Sequence, residues 1–332
     1  MRIVEGNHID TRAWADLVKN SAVATWFQTQ EAFAFFDSLS FLVAFAYAVE
    51  SKGHLKGVVV GYVQKDGGRI KSFLSRRAII LGGPLLATDI TDEELALLLQ
   101  GLKDSVGKKA IFVETRNFND YSRWRSVFEC CGFQYQPHYD IHVDTTSMDV
   151  VNEHLGKSRK RDIRVSMRDG ASVVANPTLA QVRDLYGILK TLYETKVKTP
   201  LFPFEFFERL YALDTSAFLL VEYDGKIVGG AVCVGLSGVA LYEMYACGED
   251  GVHKTIFPSE VATFAGLQYA AENGYPMFDM MGAGKPNDGG YGVRDFKLKF
   301  GGELLELGRY NYVCKPLLYQ IGKLGVKIMK KL

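Results

Sequence analysis

One order of elements, written twice along the chain, constrains this fold more than any other feature. Each half of the 332 residues reads helix, helix, three-stranded meander, helix, strand, helix, strand. In the first half, Asp10 or Thr11 caps a helix to Asn20, and Thr29 precedes a second, Gln30 to Leu39. The apolar runs Phe41 to Val49, Gly57 to Gln64 and Ile70 to Leu74 form the meander, and Ala78 to Leu86 is a strand broken by Gly82, Gly83 and Pro84. Thr91 and Glu94 spell a capping box for a helix through Asp104. A strand Ala110 to Thr115, a helix around Tyr121 to Cys131 and a strand Phe133 to Val143 complete the half.

The second half repeats the order. Leu179, Val182, Leu185, Leu189 and Leu192 fall at helical spacing, and Phe204 to Leu213 is a second helix. Asp224-Gly225 between Phe218–Tyr223 and Lys226–Val234 is the dipeptide of a type I′ hairpin turn. After the strand Val239 to Cys247, Pro258 opens a helix that closes at Asn273-Gly274 and leads into a strand, Met277 to Met281. The order predicts an α/β chain of two tandem domains, each a mixed sheet with helices on both faces. The GCN5-related (GNAT) acyltransferase fold fits it best.

Lys and Arg number 39 against 38 for Asp and Glu, so no global field draws the chain onto DNA, and a polyanion site has to be local. The start, MRIVEGNHID, has no apolar leader, and no run reaches the roughly 20 apolar residues of a membrane span. These features predict a cytoplasmic protein. Cys130, Cys131, Cys233, Cys247 and Cys314 show no zinc spacing and read as reduced, mostly buried thiols. His138 and His142 fall on one face of a strand, not at a helical ligand spacing, so no metal is expected.

Tyr275 to Leu307 concentrates the candidate chemistry. A short strand opens into a loop, Gly282 to Gly292, with five glycines in eleven residues, and Lys285, Arg294, Lys297 and Lys299 follow closely. Glycine lets backbone approach a ligand, so such a loop suits a site. Asp279 and Glu243 are carboxyls whose burial would raise their affinity for a proton, as a base requires. Val150 to Asp169 reads as one basic helix with Lys157, Arg159, Lys160, Arg161, Arg164 and Arg168. One or two of these cations suit a diphosphate or a nucleic-acid end, and the rest form a solvated face.

The segments PSEVATFAGLQYAAENGYPMFDMMGAG and YGVRDFKLKFGGELLELGRYNYVCKPLLY resemble the C-terminal signature of the Fem family, bacterial aminoacyltransferases that build peptidoglycan cross-bridges. LGKSRKRDIRVSMRDGASV resembles the family's helix at the start of its second domain. The resemblance spans most of Val150 to Gln320. It implies two tandem GNAT-like domains without a coiled-coil arm, the second (147–313) interrupting the first (1–146 plus 314–332).

It also implies attack by an amine of a UDP-linked or lipid-linked muramyl peptide on the ester of an aminoacyl-tRNA. No bound cofactor is then needed, and the tRNA acceptor end is a partner. Phe296 and Lys297 match the family's phenylalanine-lysine pair, and Lys297 becomes the cation for the oxyanion, with Asp279 beside it. Lys157, Arg161, Lys198, Tyr242, Tyr245 and Arg294 are the candidate substrate-binding residues.

Two alternatives stand beside this reading. One is a same-fold enzyme using acyl-CoA, disfavoured because no R/Q-x-x-G-x-G/A phosphate loop is present. The other is a binding protein that kept the fold and lost the chemistry. The last segment, 317–332, is basic and amphipathic, suited either to packing on the first domain or to weak membrane contact.

Overall fold

A computed structural model describes residues 1–64, 76–197, 199–288 and 292–329, with side chains through 322. It divides into two units, Met1–Pro137 with Leu307–Leu332, and His138–Glu306. The strands in chain order are β1 (Arg2–Glu5), β2 (Leu42–Ser51), β3 (His54–Gln64), β4 (Arg77–Leu81), β5 (Leu85–Leu86), β6 (Phe112–Arg116), β7 (Gln134–Gln136), β8 (Tyr139–Asp144), β9 (Ser172–Val174), β10 (Ser216–Tyr223), β11 (Lys226–Leu236), β12 (Ala240–Gly248), β13 (Met277–Asp279), β14 (Glu303–Glu306) and β15 (Arg309–Val313).

The first unit's sheet runs β1-β2-β3-β4-β6-β15-β7, with β5 on β3. The capping box at Thr91 and Glu94 is formed and starts the helix Asp92–Val106. Leu95, Leu98, Leu99 and Leu102 of that helix are fully buried in the core over β2 and β3. Asp10 caps its helix through the Ala13 amide at 2.8 Å. The expected strand Ile70 to Leu74 lies outside the described residues.

The second unit's sheet runs β14-β8-β13-β12-β11-β10-β9. Ile141, Leu219, Ala231, Leu241 and Phe278 turn one face toward Ala262, Ala265 and Leu267 of the helix Pro258–Glu272. The helices Leu179–Leu192 and Phe204–Tyr211 pack over β10 and β11, with Phe206 and Phe207 fully buried. The Asp224-Gly225 turn takes φ of 51° and 69°, as a type I′ turn demands.

Phe133 to Val143 is not one strand: Pro137 has no amide to donate, and the chain leaves the first sheet after β7 and enters the second at β8. The first boundary is therefore at 137, not 146. The second is at 306, not 313, because β15 is inserted between β6 and β7 of the first sheet. Val150 to Asp169 is two helices, Met148–His154 and Lys157–Arg168. Gly156 breaks them, its amide donating to Lys299 O at 2.9 Å where an added Cβ would stand 2.8 Å from that oxygen.

The strand expected to Met281 stops at Asp279, because Met281 turns to a φ of 54°. All five cysteines are free, but only Cys233 and Cys247 are buried. Among the described residues, no helix is long and apolar enough to cross a membrane.

Candidate active site

The second unit's sheet opens where two parallel strands part. β12 and β13 register at Leu241 with Phe278 and at Tyr242 with Asp279. Beyond Asp279 the chain follows β8, with the Met280 amide on Ile141 O at 2.9 Å and the Ala283 amide on Tyr139 O at 2.8 Å. β12 meanwhile continues beside β11 to Gly248. Among the described residues no strand pairs with its other edge beyond Tyr242, so main-chain groups there face a gap.

A bulge in β12 sorts its side chains at that gap. Tyr242 registers with Val234 and Tyr245 with Val232, while Glu243 registers with Cys233. Residues 242 and 245 would point opposite ways in a regular strand; the extra residue puts both on one face and turns Glu243 to the other. Tyr245 packs its ring 5.0 Å from Phe207, and Tyr242 is fully buried. Glu243 lies beneath the helix Pro258–Glu272. Burial raises its pKa, with Asp279 adding to the rise, while Lys297 and the Thr263 hydroxyl oppose it. Its Oε1 is buried with no hydrogen-bond partner.

Asp279, at the end of β13, is fully buried. Its Oδ1 accepts the Met281 amide at 2.6 Å and holds the tight turn. Its Oδ2 stands 3.4 Å from His142 Nε2, across the register pair of β13 and β8. Asp140, two residues from His142 on the same face, completes a group whose ligand atoms lie within 4.8 Å of one another. Burial, and then the charge of Asp279, push the Asp140 pKa well up, and a hydrogen bond with Asp279 adds to the effect against Lys297. Burial beside a second carboxyl thus favours the protonated form of Asp140, with Lys297 opposing it.

Lys297 is reached from the helix Gly292–Leu298. Its Nζ donates to the carbonyls of Met280, Met281 (2.8 Å) and Gly282 (3.1 Å). All three ammonium hydrogens are thus directed at the loop. The lysine clamps the turn after β13 and presents charge, not a spare donor, to the carboxyls around it. Lys297 was expected as the cation for the oxyanion, and in the structure its ammonium is engaged by these three carbonyls.

The Phe296 ring packs on Phe300 at 5.3 Å and under the Arg159 guanidinium at 4.5 Å. It anchors the helix rather than touching the carboxyl group. Arg294 is also structural: it binds Ala283 O, Lys285 O and Asp288 Oδ2, each at 2.8 Å, and fixes the glycine-rich loop.

Of the basic helix, Arg159 is the residue turned inward, paired with Glu260 at 2.7 Å. Lys157 is exposed and Arg161 pairs with Asp162 at 2.8 Å, so neither joins the carboxyl group. Lys198 lies outside the described residues. Sequence reasoning missed Asp140 and His142, although the polar alternation Asp140, His142, Asp144 in β8 is a signal for an unusual strand face.

Asp250 was missed as well. Its carboxylate accepts the Ser259 amide at 3.1 Å and the Ser259 hydroxyl at 2.5 Å, at the first turn of Pro258–Glu272. That helix N-terminus faces the end of β12 and is the natural seat for a phosphate after such a strand. Pro258 removes one donor there, and Asp250 engages the next.

Residues 157–297 match the family model described as an acetyltransferase (GNAT) domain. Most of the second unit thus matches a GNAT acyltransferase domain. The fold of the whole chain is similar to FemX, with 15% identity, a TM-score of 0.73 and coverage of 97% of this chain and 99% of that one. It is also similar to a tandem GNAT protein from the clavulanic acid biosynthesis pathway (11%, TM-score 0.59, 94% and 98%). A third likeness is to the C-terminal domain of a putative lysylphosphatidylglycerol synthetase from Agrobacterium fabrum (15%, TM-score 0.57, 92% of each chain). No curated protein sequence matches the chain. The tandem GNAT fold places the strand parting, with Glu243 and Lys297, inside the acyltransferase domain.

Proposed function

We propose that the chain is a Fem-like N-acyltransferase that moves an aminoacyl group from aminoacyl-tRNA to an amine of a muramyl peptide precursor in the cytoplasm. The observation that carries this reading is the gap between β12 and β13 with a protonable, buried Glu243 at its edge. The acceptor amine loses its proton to Glu243 as its nitrogen attacks the ester carbonyl. The C–N bond forms, the C–O bond to the ribose breaks, and the ribose oxygen leaves with a proton. Main-chain amides on the unpaired edge of β12 are suited to the developing oxyanion, with the Lys297 charge behind them.

Asp250 favours a donor without a pyrophosphate. A carboxylate already accepts the free amide of the helix N-terminus, and a phosphate there would meet like charge. Acyl-CoA is the second reading, favoured by the acetyltransferase family match itself. The test is a purified assay of Glu243→Gln, which keeps the shape and removes the base. Transfer should fall by about 10²–10⁴-fold. Undiminished transfer would remove Glu243 from the chemistry, whichever donor is used.

A further inference from the structure

Lys297 stands on a helix that cannot hold its own place. Gly292–Leu298 has seven residues, too few to persist by helix propensity alone, and they are exposed or half-buried. It is held from outside, at the corner between the helices Met148–His154 and Lys157–Arg168. There the Gly156 amide donates to Lys299 O at 2.9 Å, and Gly301, at a φ of 89°, leaves only 2.5 Å between an added Cβ and His154 O. Arg159 completes the corner. Its guanidinium lies 4.5 Å from the centroid of the Phe296 ring and 5.3 Å from that of Phe300, and it reaches Glu260 of the helix Pro258–Glu272 at 2.7 Å. Arg159 is buried, and its Nη1 makes the bond to Glu260, with Asp162 behind at 3.9 Å. Its Nε is buried with no hydrogen-bond partner among the described residues. A buried donor left unmade is costly, so contact of the planar cation with two aromatic rings is what this geometry favours over a full set of hydrogen bonds.

We propose that Arg159 is a positioning residue for Lys297: it fixes Phe296 against the helix Pro258–Glu272 and so sets where the next side chain meets the carbonyls of Met280, Met281 and Gly282. The role rests on the reading of the site above, in which the Lys297 charge stands behind the developing oxyanion. The path from one residue to the other is short. Arg159 touches the Phe296 ring, Phe296 precedes Lys297 in the chain, and the Lys297 ammonium clamps the turn that follows β13. Glu260 gives the path a fixed end, because its helix also covers Glu243. One buried ion pair therefore ties the helix that carries the cation to the helix over the carboxyl proposed as base. Lysine at position 159 would keep a charge for Glu260 and lose the plane that lies on the rings.

Hydrogen exchange of the full chain reads the positioning without substrate. The amides of Met280 and Ala283 are bonded to β8, and that of Met281 to Asp279. In Arg159→Lys their exchange should quicken by at least about tenfold, while β10 to β12 keep their rates. Lys297→Met should give the same rise, and the double variant no more than either single one. Should Arg159→Lys fail to fold, Phe296→Leu spares the ion pair with Glu260 and carries the same expectation. In transfer from charged tRNA to a UDP-linked muramyl pentapeptide, Arg159→Lys should lower kcat by about 10–100-fold with KM unchanged. In the Lys297→Met background it should lower kcat no further. Unchanged exchange at Met280 to Ala283, an equal rise through β10 to β12, or kinetic losses that add in the double variant would overturn the positioning role. Full transfer by Lys297→Met would overturn the reading of the site instead, a failure that exchange at the turn tells apart from failure of the positioning.

Discussion

Glu243, Asp140 and Lys297 lie together in the second unit, and each answers to a different measurement. The Glu243 pKa is raised chiefly by burial, so a reaction that uses it as base loses rate as pH falls through a value above the usual 4.3 or so of a glutamate. That acid limb should vanish in Glu243→Gln, leaving a low, flat rate. For Asp140 the sign concerns stability. Its folded pKa lies well above its unfolded one, so its protonated form favours the fold at low pH. That contribution is lost as pH rises from the unfolded value toward the folded one. Asp140→Asn should therefore show a smaller drop in melting temperature between pH 5 and pH 9 than the parent does; an equal drop would exclude Asp140 as the buried acid.

Lys297→Met strips three carbonyls of their donor and should cost about 1–3 kcal/mol, read by urea unfolding. Part of this grouping was legible beforehand, since Lys297 and Asp279 flank a glycine-rich loop in sequence and Glu243 is a carboxyl in the middle of an apolar strand. Asp140 and His142 were not, because only the pairing of β8 with β13 brings them to Asp279, and pairing across more than a hundred residues leaves no local trace.

At the scale of elements, the helix Pro258–Glu272 carries the greatest constraint. Gly266 lies against Phe278, where an added Cβ would come within 2.7 Å of the ring. Gly266→Val should destabilise by about 1–3 kcal/mol through overpacking, measurable as a lower denaturation midpoint. At the other end of the helix, Asp250→Ala removes the carboxylate from Ser259. It should cost about 1 kcal/mol of stability and also uncover the helix amide, so that inorganic phosphate stabilises the variant more than the parent in a thermal shift.

The start of this helix was plain in sequence from Pro258, but the partner of its first amide was not, since Asp250 reaches it from a loop. The basic tract shows the same limit. Its composition reads as one helix, yet Gly156 divides it because Lys299 O needs the amide and the space.

For the whole molecule, the repeat of elements correctly announced two sheets, because hydrophobic period and turn residues are local signals. Where one unit stops was misjudged at both ends. Tyr139–Asp144 and Arg309–Val313 carry strand patterns that suit either sheet, and only tertiary pairing assigns them. That pairing has a consequence for the first unit. β15 lies between β6 and β7, and Tyr310 stacks on Phe128 with ring centroids 4.1 Å apart. A chain ending at Glu306 lacks this strand and should lose the first unit's protection in hydrogen exchange, with β8 to β14 keeping theirs.

The reaction proposed for the second unit is acyl transfer to an amine from a donor that is not acyl-CoA. Its most direct measurement is the mass of a UDP-linked muramyl pentapeptide after incubation with the protein and either charged tRNA or acyl-CoA. A gain of one aminoacyl residue with charged tRNA, and none with acyl-CoA, is the predicted result. A gain from acyl-CoA alone would contradict it.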